Sequence, residues 1–103
     1  MAVAFRLQSF SFSDSSGPQS HILTFAFPSD VKEATAAIAG FRFDYSQDPA
    51  NVFDQKVDVV DVSVRVTART GPTVQVRVNA HFADTGRDDP YNGRIDVLAI
   101  AEL

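Results

Sequence analysis

Residues 57 to 83, VDVVDVSVRVTARTGPTVQVRVNAHFA, constrain the fold of this chain more than any other stretch. Val60, Val62, Val64, Val66 and Ala68 fall on one face of the first run, and Val74, Val76, Val78, Ala80 and Phe82 on one face of the second. Successive side chains point to opposite faces of a strand, so apolar, β-branched residues at period two mark a strand buried on one side only. Gly71-Pro72 separates the runs as turn chemistry does, and the whole predicts an antiparallel hairpin. The opposite faces carry Asp61, Ser63, Arg65, Thr67 and Arg69, then Gln75, Arg77, Asn79 and His81. Each of these can hydrogen-bond, which makes this the face on which to seek a ligand.

A hairpin with one apolar face needs a second layer to cover it. The remaining sequence can supply one. The chain has 103 residues, enough for one domain, 1–103; 45% of them are hydrophobic, nine of them Phe, so a core forms without a staple. Cysteine is absent, which excludes both a disulfide framework and a thiolate metal site. A formal net charge of −4 argues against a binder of nucleic-acid backbone, whose footprint is a basic stripe. The start, MAVAFRLQSF, lacks the basic and apolar regions of a signal peptide, and no run approaches the length of a membrane span. The expectation is a protein of the cytoplasm, or one associated with a particle, that engages neither nucleic acid nor membrane.

Taken in order, Val3, Phe5 and Leu7 alternate before the apolar phase jumps to Phe10 and Phe12, which predicts either a bulge near Gln8 and Ser9 or a strand with two buried faces. Ser13 to Pro18 is dense in turn formers, and HILTFAF, His21 to Phe27, is the next strand, stopped by Pro28. Ser29 to Gly40 carries both helix and strand signals. Asp30 and Glu33 have capping-box spacing, whereas Thr35, Ala37, Ala39, Phe41, Phe43 and Tyr45 alternate without a break. We read strand from residue 35 onward, with one short helical turn near residues 29–33. Residues 46–54 read as a loop, and a second phase switch predicts a bulge near Val59 and Val60. Across the hairpin, pairing Val66 with Val78 avoids setting Arg65 against Arg77, and that register is preferred because opposed like charges destabilise. Asp84 to Gly93 reads as a polar loop and Arg94 to Leu103 as a last strand, with Leu98 and Ile100 making it apolar on both faces. The sum is an all-β, small antiparallel sandwich of about six strands.

No nucleophile elbow, zinc-protease helix or phosphate-binding glycine loop is present, so no catalytic residue and no cofactor is assigned and the chain is expected not to be an enzyme. Asp84, Asp88, Asp89 and Asn92 supply oxygen ligands without the spacing of a calcium loop, so no metal ligand is assigned either. The candidate ligand-binding residues are Arg65, Arg69, Arg77, Asn79 and His81. Guanidinium forks suit carboxylates and vicinal hydroxyls, and an imidazole can donate to a hydroxyl. Tyr45 and Tyr91, at a strand end and in a loop, suit stacking on a sugar or a partner.

LTFAFP (Leu23 to Pro28), Ala37-Ile38-Ala39-Gly40-Phe41, VDVSVRVTA (Val60 to Ala68) and Val97-Leu98-Ala99-Ile100-Ala101 together resemble the H-type lectin domain, the six-stranded antiparallel sandwich of snail agglutinins, discoidins and some phage tail fibres. The resemblance covers residues 21–103. It implies a trimer or hexamer that binds galactose or N-acetylgalactosamine between neighbouring protomers. By position, Arg65 or Arg69 would match the family's binding arginine and His81 its binding histidine, while Ile100 stands at its closing tryptophan. The expected function is a non-enzymatic, oligomeric, carbohydrate-binding module whose partners are itself and a glycan; a structural subunit of a homo-oligomeric particle is the alternative.

Overall fold

The computed structural model describes residues 2–15, 17–45, 57–84 and 90–103. They form six strands: β1 (Val3–Ser15), β2 (Gln19–Ala26), β3 (Glu33–Tyr45), β4 (Val57–Thr70), β5 (Thr73–Asp84) and β6 (Tyr91–Glu102). All neighbouring pairs are antiparallel, in two three-stranded sheets of order β1-β6-β3 and β2-β5-β4. The all-β sandwich read from the alternation is the fold observed. Strands of 8 to 14 residues give the molecule extents of 54 × 17 × 17 Å. Its radius of gyration is 16.3 Å, against about 13 Å for an ordinary domain of this size.

The core lies between the two central strands. Val74, Val76, Val78 and Ala80 of β5 face Ile95, Val97, Ala99 and Ala101 of β6, all buried. Leu23 and Phe25 of β2, and Phe27 just beyond its end, join them, as the alternation required. One end of the core is aromatic. The Phe43 ring stacks on Phe82 at 5.2 Å, and Tyr91 meets Phe12 and Phe82 edge-on at 5.4 and 5.7 Å. The β1/β2 side is closed by the Phe10 ring on His21 at 4.7 Å, by Arg6 over the Phe27 ring, and by the Gln8 amide donating to the Thr24 carbonyl.

Five expectations need correction. Residues 29–33 form no helical turn. The amides of Phe27 and Val31 donate to the carbonyls of Pro72 and Gly71, at 2.9 Å each, and the Lys32 amide donates to Glu102. The segment is strapped across the β4–β5 turn, and the strand then runs from Glu33. The phase jump in β1 is not a bulge near Gln8 and Ser9, because pairing with β6 is unbroken from Val3 to Phe12; the irregularity falls between Phe12 and Ser15. What changes is the apolar face: Phe5 and Leu7 point outward, and Phe10 and Phe12 pack against the core.

The bulge expected near Val59 and Val60 lies slightly earlier, between Val57 and Val59, and a second one lies between Val66 and Ala68. Across the hairpin Val66 pairs with Val76, not Val78, so Arg65 does stand opposite Arg77. The turn decides this: Thr70 pairs with Thr73 across two residues, and Gly71 takes a positive φ of 57°. A glycine with positive φ at the first central position, followed by Pro, fits a hairpin turn of the II′ kind. Finally, Tyr91 is not in a loop. It opens β6, fully buried, and its hydroxyl donates to the Gly17 carbonyl at 2.5 Å. The expected loop 46–54, and Asp88 and Asp89 of the acidic stretch, lie outside the described residues.

Candidate functional site

The outer face of the sheet β2-β5-β4 presents three consecutive cross-strand rows. His81 lies opposite Asp61; Asn79 lies between Ser63 and Ser20; Arg77 lies between Arg65 and Ile22. Directly opposed side chains on neighbouring strands stand about 5 Å apart at Cβ, so each row is a contiguous set of groups. The backbone supports them without being offered, because β5 is the central strand and is paired on both sides. Inner positions of β5 are filled by buried valines, which leaves the outer side chains no freedom to turn inward.

Inside the rows few bonds are satisfied. Arg77 donates to the Ser20 hydroxyl at 3.1 Å, and the Asn79 amide reaches the Ser63 hydroxyl at 3.5 Å. Asp61, Arg65 and His81 make no hydrogen bond or ion pair among the described residues. Arg65 and Asp61 are exposed, and His81 is half-buried. The face thus offers unspent donors from a guanidinium and an imidazole, together with an unspent carboxylate acceptor.

Four of the five residues picked from the sequence come together here: Arg65, Arg77, Asn79 and His81. Arg69 does not. The bulge between Val66 and Ala68 advances the strand by one residue, which sends every later side chain to the other face. Arg69 therefore pairs with buried Val74 and reaches the edge of the other sheet, 4.0 Å from Glu33. Ser20 and Ile22 join the face without having been picked. They share the parity of Thr24; Ile22 already lies within HILTFAF, and extending that strand back to Gln19 adds Ser20. Tyr91 is excluded from any site by its burial, which pushes its phenol above the ordinary tyrosine range; the Phe82 backbone opposes that shift weakly.

A second polar area occupies the outer face of β1-β6-β3 at the aromatic end. The Ser9 hydroxyl donates to Asp96 at 2.5 Å, Arg94 meets the same carboxylate at 3.0 Å, and Arg42 meets Asp44 at 3.2 Å. The Ser9 bond first, and Arg94 second, hold the Asp96 carboxyl below the usual carboxylate range. A depression of about 200 Å³ lies among Arg42, Asp44, Asn92, Gly93 and Arg94, but its charges are already spent on one another. The other half of this face is apolar: Val3, Phe5 and Leu7 are 53%, 57% and 62% exposed, beside Ile100 and Leu98.

Among the described residues no cluster of His, Asp and Glu has the arrangement to hold a metal ion, and no helix is long and apolar enough to cross a membrane. No family model, curated protein or solved structure matches the chain.

Proposed function

We propose that this chain is a non-enzymatic, oligomeric binding module that takes a carbohydrate on the outer face of its β4–β5 hairpin. The observation that carries the reading is the set of rows Asp61/His81, Ser63/Asn79 and Arg65/Arg77, adjacent, with every member but the half-buried His81 exposed and with Asp61, Arg65 and His81 making no bond among the described residues. Saccharide hydroxyls are both donors and acceptors, and a surface that mixes guanidinium, imidazole, amide and carboxylate suits them better than one of a single charge. The six-stranded antiparallel sandwich is also the architecture that the H-type lectin resemblance implies. That resemblance adds galactose or N-acetylgalactosamine as ligands and a trimer or hexamer as the working form. The experiment is a glycan array followed by calorimetric titration. Binding is expected, and it should fall in Arg77→Ala and in His81→Ala while the melting temperature stays put. No retention of any glycan sinks the proposal.

A second reading, a structural subunit of a homo-oligomeric particle, is favoured by the apolar half of the opposite face. Three large side chains of β1, each more than half exposed and backed by Ile100 and Leu98, form the kind of block that monomers rarely leave open. Light scattering over a hundredfold dilution, with no change from the monomer mass, would count against both this reading and the oligomeric part of the first.

A further inference from the structure

Arg65 and Arg77 stand directly opposite each other on neighbouring strands, an arrangement that destabilises a sheet unless something offsets it. The other described arginines are all provided for. Arg42, Arg69 and Arg94 face Asp44, Glu33 and Asp96, and Arg6 lies over the Phe27 ring. Arg65 and Arg77 have no carboxylate partner among the described residues. Arg77 spends one nitrogen on the Ser20 hydroxyl, and Arg65 spends none. Their neighbours on the face are Ser63, Asn79, Gln75, Thr67 and Ile22, none of them acidic. Asp61 is two rows away along the strand, about 13 Å at the usual strand rise, too far to neutralise the pair.

Two opposed guanidiniums with donors to spare and no carboxylate partner among the described residues, on a chain whose net charge is −4, suit a local anion. From this juxtaposition we propose that the ligand is an acidic saccharide, one bearing a carboxylate or a sulfate ester, and that Arg65 and Arg77 grip the anion. Ser63, Asn79 and Ser20 in the next row lie in position for the ring hydroxyls. Ile22, 41% exposed and in line with the pair, offers its side chain to the apolar face of the sugar ring. The proposal rests on the carbohydrate reading above and narrows it.

The test is titration of the full chain with galactose, N-acetylgalactosamine, galacturonic acid, N-acetylneuraminic acid, galactose 6-sulfate and a short single-stranded oligonucleotide, at two salt concentrations. An acidic sugar should bind at least about tenfold more tightly than its neutral counterpart, since a charge-assisted hydrogen bond contributes that much. The preference should shrink on raising the salt. Arg65→Lys, which keeps the charge but loses the fork, should retain part of it, and Arg77→Ala should abolish it. The uronic and sulfated arms decide between carboxylate and sulfate as the anion. Equal binding of neutral and acidic sugars overturns this inference and leaves the carbohydrate reading standing. Failure of every sugar overturns both. Binding of the oligonucleotide at the strength of the best sugar overturns the assignment to saccharides, the anion then being a phosphate.

Discussion

Gly93 is paired directly with Phe12, and the Phe12 ring occupies the space above it. A Cβ built at Gly93 meets the Cζ of that ring, with Cε1 and Cε2 only 2.8 Å away. Such overlap forces the ring to move, and the ring is held edge-on by Tyr91 at 5.4 Å and lies 6.4 Å from Phe43. Gly93→Ala is therefore an overpacking change of the kind that costs about 1–3 kcal/mol. With an unfolding entropy of about 2.1 cal/mol/K per residue, a chain of 103 residues loses about 5 °C of melting temperature per kcal/mol, so the expected drop is about 5–14 °C. Gly40→Ala is the control. The Cβ there would meet nothing nearer than an Asp96 carboxylate oxygen at 3.4 Å, and its φ lies outside the left-handed range, so its effect should stay within about 1 kcal/mol of zero. The assay is calorimetry at fixed protein concentration, with Phe12→Leu added to Gly93→Ala as a double-mutant cycle. The smaller side chain should recover part of the loss. A Gly93→Ala variant as stable as the parent, or a cycle with no coupling, would refute this account of the aromatic end.

Three further outcomes follow from the same structure. Tyr91→Phe removes the hydroxyl that donates to Gly17 and should cost about 1–2 kcal/mol, read as a shifted urea midpoint. Burial favours the neutral phenol in the folded state, so its contribution is complete below the ordinary tyrosine range and is lost as pH rises through the raised value; Tyr91→Phe should flatten the decline in stability above about pH 10. Asp96 has the opposite sign. Its folded-state carboxyl is depressed, so the stability it gives is present above the ordinary carboxylate range and is lost as pH falls through the lowered value, and Asp96→Asn should flatten acid unfolding there. Val76→Ala, at a position with no exposure, should cost about 1.5–3 kcal/mol, whereas Val60→Ala, half exposed at the edge of β4, should cost less than about 0.5 kcal/mol in the same melts.

Much of this molecule was legible because period two is a property of the backbone itself: the valine rows of β4 and β5 could be assigned before any neighbour was known. Register was harder. Exposed like charges are worth only tenths of a kcal/mol, while the turn fixes the pairing of every residue behind it. The residue numbers held a better clue. A two-residue turn at Gly71-Pro72 pairs Thr70 with Thr73, an even position with an odd one, yet the apolar rows on both strands are even-numbered. One extra residue between turn and rows is therefore compulsory, and the bulge at Thr67 supplies it. That same residue removes Arg69 from the candidate site. Asn92 and Gly93 read as the end of the polar loop because glycine is a turn residue more often than a seat for an aromatic ring, and nothing local announces that Phe12 pairs with Gly93. The helix signal at Asp30 and Glu33 failed for a long-range reason as well, since the amides of Val31 and Lys32, which would open that helix, bond to the turn between β4 and β5 and to the end of β6.

The most direct test of the central claim is amide shift mapping on isotope-labelled protein titrated in turn with galactose, N-acetylgalactosamine and galacturonic acid. Saturable shifts are expected, confined to Ser20, Ile22, Asp61, Ser63, Arg65, Arg77, Asn79 and His81 and their strand neighbours and largest for the acidic sugar. Shifts centred instead on Arg42, Asp44 and Arg94 of the opposite sheet, or no saturable shift with any of the three, would contradict that claim.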